Sequence, residues 1–172
     1  MIGNDLVYFP DWKRRSGDRL RRFRQKIYTP RERIWIENDS DHHLLEAKFW
    51  AVKEAVYKSA FKKLRERKFA PKSIAIVDYD GIHFSVIHRE EQYLVTVEVA
   101  KDFVHAVTSP GVGHLSFSFE DDSHYRSQIT VEESAMKLVK DNFGVPHGFW
   151  KNRKLDLSVS HDGGMAVVDV SF

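Results

Sequence analysis

Apolar residues gather early, in Ile2-Gly3-Asn4-Asp5-Leu6-Val7, and Ile2 to Phe9 reads as a short strand ended by Pro10. Trp12 to Gln25 has the charge and spacing of a short, very basic helix or irregular arm. Thr29-Pro30-Arg31-Glu32 marks a helix start: Thr29 can cap, Pro30 suits the first helical position, and Glu32 can return a hydrogen bond to the cap. Asn38-Asp39-Ser40-Asp41 offers caps for the principal helix, predicted from about His43 to about Arg67. Leu45, Phe49, Val52, Val56 and Ala60 form one stripe at helical spacing and should face the core. Glu54 and Lys58 lie roughly opposite, beside Trp50, Tyr57 and Phe61. A helix apolar on two faces needs a second layer or a subunit over it, which would put Glu54 in a walled site.

Beyond Ser73 the period shortens. Ile74 to Val77, Ile82 to His88 and Tyr93 to Val99 read as strands, with Asp80-Gly81 a hairpin turn between the first two. His114 to Phe119 suggests another strand, and Val131 to Asp141 reads as a helix with Val131, Ala135, Leu138 and Val139 on its apolar stripe. Asn142-Phe143-Gly144-Val145-Pro146 breaks that helix. The chain closes with strands Leu155 to Ser160 and Met165 to Phe172 joined across His161-Asp162-Gly163-Gly164. In the first, Leu155, Leu157 and Val159 face one way and Asp156, Ser158 and Ser160 the other. The pattern predicts an α+β fold over residues 1–172 as one domain, an antiparallel sheet packed against one long helix with extra strands in the middle.

Composition narrows the class. Apolar residues make up 42%, charged residues 30% and aromatic residues 13%, a soluble globular balance. The absence of cysteine excludes disulfides, thiolate zinc sites and cysteine nucleophiles. No apolar run is long enough to span a bilayer, and Asp5 and Asp11 interrupt the stretch a secretory signal would need, so the expected location is the cytoplasm. The net charge of +2 hides an asymmetry: residues 1–34 carry ten Lys and Arg side chains against four carboxylates. Lys62, Lys63, Arg65, Arg67, Lys68 and Lys72 add to it, and together these segments would steer an acidic partner if they converge in space.

Asp5 is an acid inside an apolar run, and Glu54 with Lys58 one turn later sits on the principal helix. Two carboxylates and a lysine can hold a divalent cation and a phosphate together, since magnesium takes one or two protein carboxylates, several waters and phosphate oxygens. Glu54 and Lys58 could equally be an i,i+4 surface pair worth about 0.2–0.5 kcal/mol.

Gly3-Asn4-Asp5-Leu6-Val7, the stretch from Phe23 ending in Thr29-Pro30-Arg31-Glu32, the helix Lys53-Glu54-Ala55-Val56-Tyr57-Lys58 and the closing Leu157-Ser158-Val159-Ser160-His161-Asp162, in this order, resemble the 4'-phosphopantetheinyl transferases, in particular the holo-acyl-carrier-protein synthase branch. Gly144-Val145-Pro146 is similar to a further family motif. The resemblance covers residues 1 to about 70 and about 138 to 172. It implies a cytoplasmic enzyme, with fatty acid biosynthesis among its settings, that moves the 4'-phosphopantetheine arm of coenzyme A to a serine of an acyl or peptidyl carrier protein and releases adenosine 3',5'-bisphosphate. By family position Asp5 and Glu54 would bind Mg2+, Lys53, Lys58, Ser160 and His161 would meet coenzyme A, and Glu54, directly or through a water, with Lys58 would be catalytic. The basic arm would suit an acidic carrier. In compact members the site lies between subunits, which would make a homo-oligomer and place His161 across from Glu54; the middle segment could instead supply that wall within one chain.

Three positions depart from the pattern. Phe49 stands where the family often has arginine, with Lys48 a substitute; Val145 replaces the lysine of Gly-Lys-Pro; and Val7 is not the third carboxylate of two-lobed members. A non-catalytic carrier- or coenzyme-A-binding family member therefore stays open. A nucleic-acid-binding module using Arg14, Arg15, Arg19, Arg21, Arg22 and Arg24 with Trp12 and Phe23 is the reading from another class. His42-His43 beside Asp41 fits capping better than a metal, and Gly111-Val112-Gly113 reads as a turn. Ser160-His161 is no dyad by adjacency, since consecutive strand side chains point to opposite faces.

Overall fold

Opposite-facing neighbours in strands and 3.6-residue turns in helices sort this chain into two sheets and one dominant helix. A computed structural model describes residues 1–108, 113–120, 130–131 and 134–172. The first strand, β1 (Asn4–Tyr8), is followed by helices α1 (Phe9–Lys13), α2 (Gly17–Ile27), α3 (Pro30–Asn38) and α4 (His42–Leu64). Strands β2 (Ile74–Tyr79), β3 (His83–His88), β4 (Glu91–Ala100) and β5 (Phe103–Thr108) complete an antiparallel sheet of order β1-β5-β4-β3-β2. After them come β6 (His114–Phe119), β7 (Thr130–Val131), β8 (Ser134–Ala135), β9 (Lys137–Lys140), β10 (Pro146–Trp150), β11 (Arg153–Asp162) and β12 (Met165–Ser171). The second sheet runs β6-β12-β11-β10-β9, with β7 and β8 paired separately.

The helix signals act as read. Thr29 Oγ1 accepts from Glu32 N and Glu32 Oε2 from Thr29 N, a complete capping box on α3. Asp41 caps α4 through Leu44 N. Leu45, Phe49, Val52, Val56 and Ala60 are all buried, and the first four join Val86, Val95, Val97, Val104 and Ala106 in the main core. The arm is two helices, α1 and α2.

Three expectations change. The run from Val131 to Asp141 contains short strands where a helix is predicted, and β9 pairs in register with β10, Lys140 opposite Pro146. A short apolar run fits either period, and the pairing partner decides. The side chains of Val131 and Ala135, and residues 111–112 of the expected turn, lie outside what is described. Strand β5 was hidden because Val104, Ala106, Val107 and Thr108 are all buried and show no clean alternation. Strand β10 was hidden by Pro146 and Gly148, poor strand formers in sequence terms.

Polar bonds join the two sheets. At and just before β1, the backbone N–H groups of Ile2, Asn4 and Tyr8 are met by side chains of β11. Ile2 N donates to Asp156 Oδ2 at 2.5 Å, Asn4 N to Ser158 Oγ at 3.0 Å and Tyr8 N to Asp162 Oδ2 at 2.7 Å. One face of β11 thus replaces a neighbouring strand by a ladder of side-chain acceptors, which satisfies donors that burial would otherwise strand. Buried Asp169 of β12 accepts from Asn4 Nδ2 at 2.5 Å and from Ser116, and His105 Nε2 lies 2.9 Å from it. Burial would raise the Asp169 carboxyl, yet the bonds from His105, Ser116 and Asn4 leave it below its ordinary range.

Candidate active site

Gly3 explains how β1 reaches α4. A Cβ there would overlap the carbonyl of Ala55 and lie 2.6 Å from Ser59 N, so only glycine permits this approach. Two residues on, the Asp5 carboxylate meets the ammonium of Lys58: Nζ donates to Oδ1 at 2.9 Å. The i,i+4 reading of Lys58 with Glu54 is therefore incomplete, because the lysine crosses to another element.

Glu54 lies within the field of both. Burial pushes its carboxyl up, the negative charge of Asp5 adds to this, Lys58 opposes it, and the result is about 7. Asp5 is also raised, first by burial and further by Asp162, although Lys58 and His105 pull it down. One ammonium thus serves two carboxyls with a third acid close by, and the site is short of positive charge. Such a donor set fits a hard divalent cation that takes one or two carboxylates and completes its shell with water and phosphate. Among the described residues no three His, Cys, Asp or Glu side chains form a self-sufficient metal cluster.

Beside Lys58 opens a cavity of about 280 Å³ between α4 and the second sheet. Lys58, Lys62, Lys140 and His161 line it together with Phe61, Val139, Val145 and Val159. His161 thus lines the same cavity as Lys58 within a single chain, and β9 to β11 form the side of that cavity opposite α4. The Trp50 side of α4 is covered internally too: the Trp50 ring lies 6.0 Å from Trp12, 5.5 Å from Phe23 and 5.9 Å from Phe69, and Tyr57 lies 4.9 Å from Phe69. Through Phe69, and through contact of α2 with Pro71–Ser73, the two basic segments converge.

Other expected residues land elsewhere. Lys53 is fully buried, and its ammonium donates to Glu32 Oε1 at 2.9 Å, to Pro71 O at 2.9 Å and to Ile74 O. All three protons are engaged, so Lys53 ties α3, α4 and β2 together and cannot contact coenzyme A as expected. Lys48 donates to Gly81 O at 2.9 Å, in the β2–β3 turn, and does not substitute for the family arginine; Phe49 is fully buried in the core. Ser160 faces β1 and is buried, and its Oγ has no partner among the described residues. Val7 is buried in the main core.

Sequence reasoning missed Lys62 and Asp162. Lys62 Nζ donates to Ile2 O at 2.5 Å, Asp156 Oδ1 at 2.9 Å and Leu157 O at 2.7 Å, fastening β1, α4 and β11 beside the cavity. Its position four residues after Lys58 was the available signal. Asp162 adjoins His161 and holds Tyr8 N, which sets the register of Asp5 against the second sheet. Tyr8 also packs so tightly on Gly163 that a Cβ there would lie 2.6 Å from its ring.

Comparisons with known proteins bear on this arrangement. Solved structures similar to the chain include apo-ACPS of Chronobacterium ammoiniagenes, 15% identical with TM-score 0.49, covering 63% of this chain and 93% of that one. An acyl carrier protein synthase of Mycobacterium tuberculosis is 23% identical with TM-score 0.44, covering 62% and 92%. The holo-[acyl-carrier-protein] synthase of Thermotoga maritima is 14% identical with TM-score 0.48, covering 82% and 77%. No curated protein sequence matches. A family model does match, over residues 1–108, the stretch that carries Asp5, Glu54 and Lys58 and more than half of the chain: the protein belongs to the 4'-phosphopantetheinyl transferase superfamily.

Proposed function

We propose that the chain is of the holo-acyl-carrier-protein synthase type and transfers the 4'-phosphopantetheine arm of coenzyme A to a serine of an acyl or peptidyl carrier protein. The observation that carries this reading is the ion pair of Asp5 with Lys58, with Glu54 in the field of both, beside a cavity that Lys58 and His161 line. The serine oxygen attacks the β-phosphorus of coenzyme A, the bond to the bridging oxygen breaks, and adenosine 3',5'-bisphosphate leaves.

The residues divide the work. A carboxyl held at about 7 is suited to take the serine proton near neutral pH, which makes Glu54 the base. Lys58 neutralises charge on the transferring phosphoryl group and His161 binds the nucleotide side. A magnesium ion between Asp5, Glu54 and the pyrophosphate would supply further neutralisation of the developing charge. The convergent basic segments, with Arg19, Arg21 and Arg22 exposed on α2, favour an acidic carrier domain by long-range attraction that salt weakens.

The test is incubation of the protein with coenzyme A, magnesium and apo carrier proteins, followed by mass spectrometry of the carrier. A phosphopantetheine increment is expected, with loss of about 100-fold or more in rate for Glu54→Gln. Absence of the increment with several carriers, or full activity in Glu54→Gln, overturns the reading. Salt-sensitive binding to nucleic acid with none to coenzyme A would favour a nucleic-acid-binding module instead.

A further inference from the structure

The two walls of the cavity belong to different cores. On one side α4, which gives Phe49, Val52 and Val56 to the main core, presents Lys58, Phe61 and Lys62. On the other, Gly144, Val145 and Pro146 of the β9–β10 turn form part of the lining, and the strands behind them pack on the separate core of Met136, Leu155, Leu157, Val168 and Val170. Polar contacts from the end of the helix bridge the two. Asp141 organises the turn: its Oδ1 accepts from Phe143 N and Val145 N at 2.9 Å each, and Gly144 N donates to its carbonyl at 2.8 Å. Its Oδ2 lies 3.3 Å from His147 Nε2 and accepts from Arg65 Nη1 at 2.8 Å. The Arg65 guanidinium also lies over the Phe143 ring, 5.1 Å from its centre, and Arg67 Nη2 donates to Phe143 O at 2.9 Å. Arg65 is the cap that ends α4, and it holds this place in the left-handed conformation, φ 59°, where glycine would be unstrained.

We propose that Arg65, assisted by Arg67, is a positioning residue for coenzyme A: it clamps the β9–β10 turn onto the end of α4 and so fixes the gap between helix and turn that the ligand enters. This rests on the phosphopantetheinyl reading of the same cavity. Neither arginine is among the residues that line the cavity, so both act through Gly144, Val145 and Pro146. The strained backbone at Arg65 fits this role, because glycine would suit the helix end better and would release the turn. Without the clamp, binding must itself order the turn, and that cost appears as weaker affinity. Asp5, Glu54 and Lys58 are held by other contacts, so the reaction of bound ligand keeps its rate.

The experiment measures coenzyme A binding by calorimetry, transfer kinetics and thermal unfolding for wild type, Arg65→Gly, Arg65→Lys and Arg89→Gly. Arg89 is a matched control: it too is left-handed, φ 50°, and pairs with a carboxylate, Glu66, but it sits in the β3–β4 turn and outside the cavity lining. Arg65→Gly should bind coenzyme A about fivefold more weakly and raise KM by a similar factor, with kcat within about twofold of wild type. Its melting temperature should change little, because the relieved backbone offsets the lost ion pair. Arg65→Lys, which keeps a cation for Asp141, should recover most of the affinity, and Arg89→Gly should match wild type. Wild-type affinity in Arg65→Gly, the same loss in Arg89→Gly, a fall in kcat at unchanged KM, or a weakening that only follows a lowered melting temperature overturns the clamp and leaves the transferase reading standing. A wild type that neither binds coenzyme A nor modifies any carrier overturns both.

Discussion

β1 is flanked by two interfaces of opposite chemistry. Toward α4, the first sheet contributes Val7, Val95, Val97, Val104 and Ala106, which share an apolar core with Phe49, Val52 and Val56. Toward the second sheet, Asn4, His105 and the outward N–H groups of β1 meet Asp169, Asp156, Ser158 and Asp162. The apolar interface is non-directional and holds the elements together by removing surface from water. The polar one is directional, with specific donors aimed at specific acceptors, so it specifies register. Asp5 and Lys58 lie where the two interfaces meet, and His161 lines the same cavity as Lys58.

Changes on the polar side should therefore cost most. Asp169→Ala leaves Asn4, His105 and Ser116 facing a buried vacancy and should lower the unfolding free energy by about 3–5 kcal/mol in denaturant titration. A loss below about 1 kcal/mol would mean that the seam contributes little. Lys62→Met should come next, at about 3 kcal/mol, because Asp156 is left without its cation while Ile2 O and Leu157 O lose a donor. On the apolar side Phe49→Leu should cost about 1.5 kcal/mol, since leucine stays apolar and fills most of the space although the ring contacts with Tyr28, Trp35, Tyr79 and Phe84 are lost. If Phe49→Leu proves worse than Lys62→Met, the contrast fails.

The smallest effect is a pH slope. The Glu54 carboxyl is raised from 4.5 to about 7 by burial and by Asp5, so the folded chain keeps a proton that the unfolded chain releases. Its contribution to stability is full below 4.5 and disappears as the pH rises through about 7. In the absence of divalent cation, wild type should lose stability relative to Glu54→Gln across that window, with a slope no greater than about one proton. Added magnesium should bind more strongly as the pH rises through the same range. A flat difference between the two proteins would show that Glu54 titrates normally.

Much of this was legible in sequence because it depends on near neighbours. The capping box at Thr29 and Glu32, the cap at Asp41 and the buried stripe of α4 need only a few adjacent residues. Asp5, Glu54, Lys58 and His161 were legible as residue types in an ordered set, although their distances were not. Lys53 misled because it sits beside Glu54 in the motif, yet neighbouring helix residues diverge by about 100° and its side chain enters the core. The helix read at Val131 to Asp141 failed because its apolar run suits two periods.

Sequence by itself determined the caps of α3 and α4, the buried stripe of α4 and the strands at β1 to β4, β6, β11 and β12. Only the tertiary structure decided that β11 would lend its side chains to β1, that Lys62 and Asp169 would fasten the two sheets, and that the wall beside Lys58 would come from the same chain. The reason is range: caps and periodicity act over a few residues, whereas Asn4 finds Ser158 and Asp169 across more than 150 positions. No local pattern encodes which buried donor meets which acceptor. The need to satisfy most of them at once selects the arrangement.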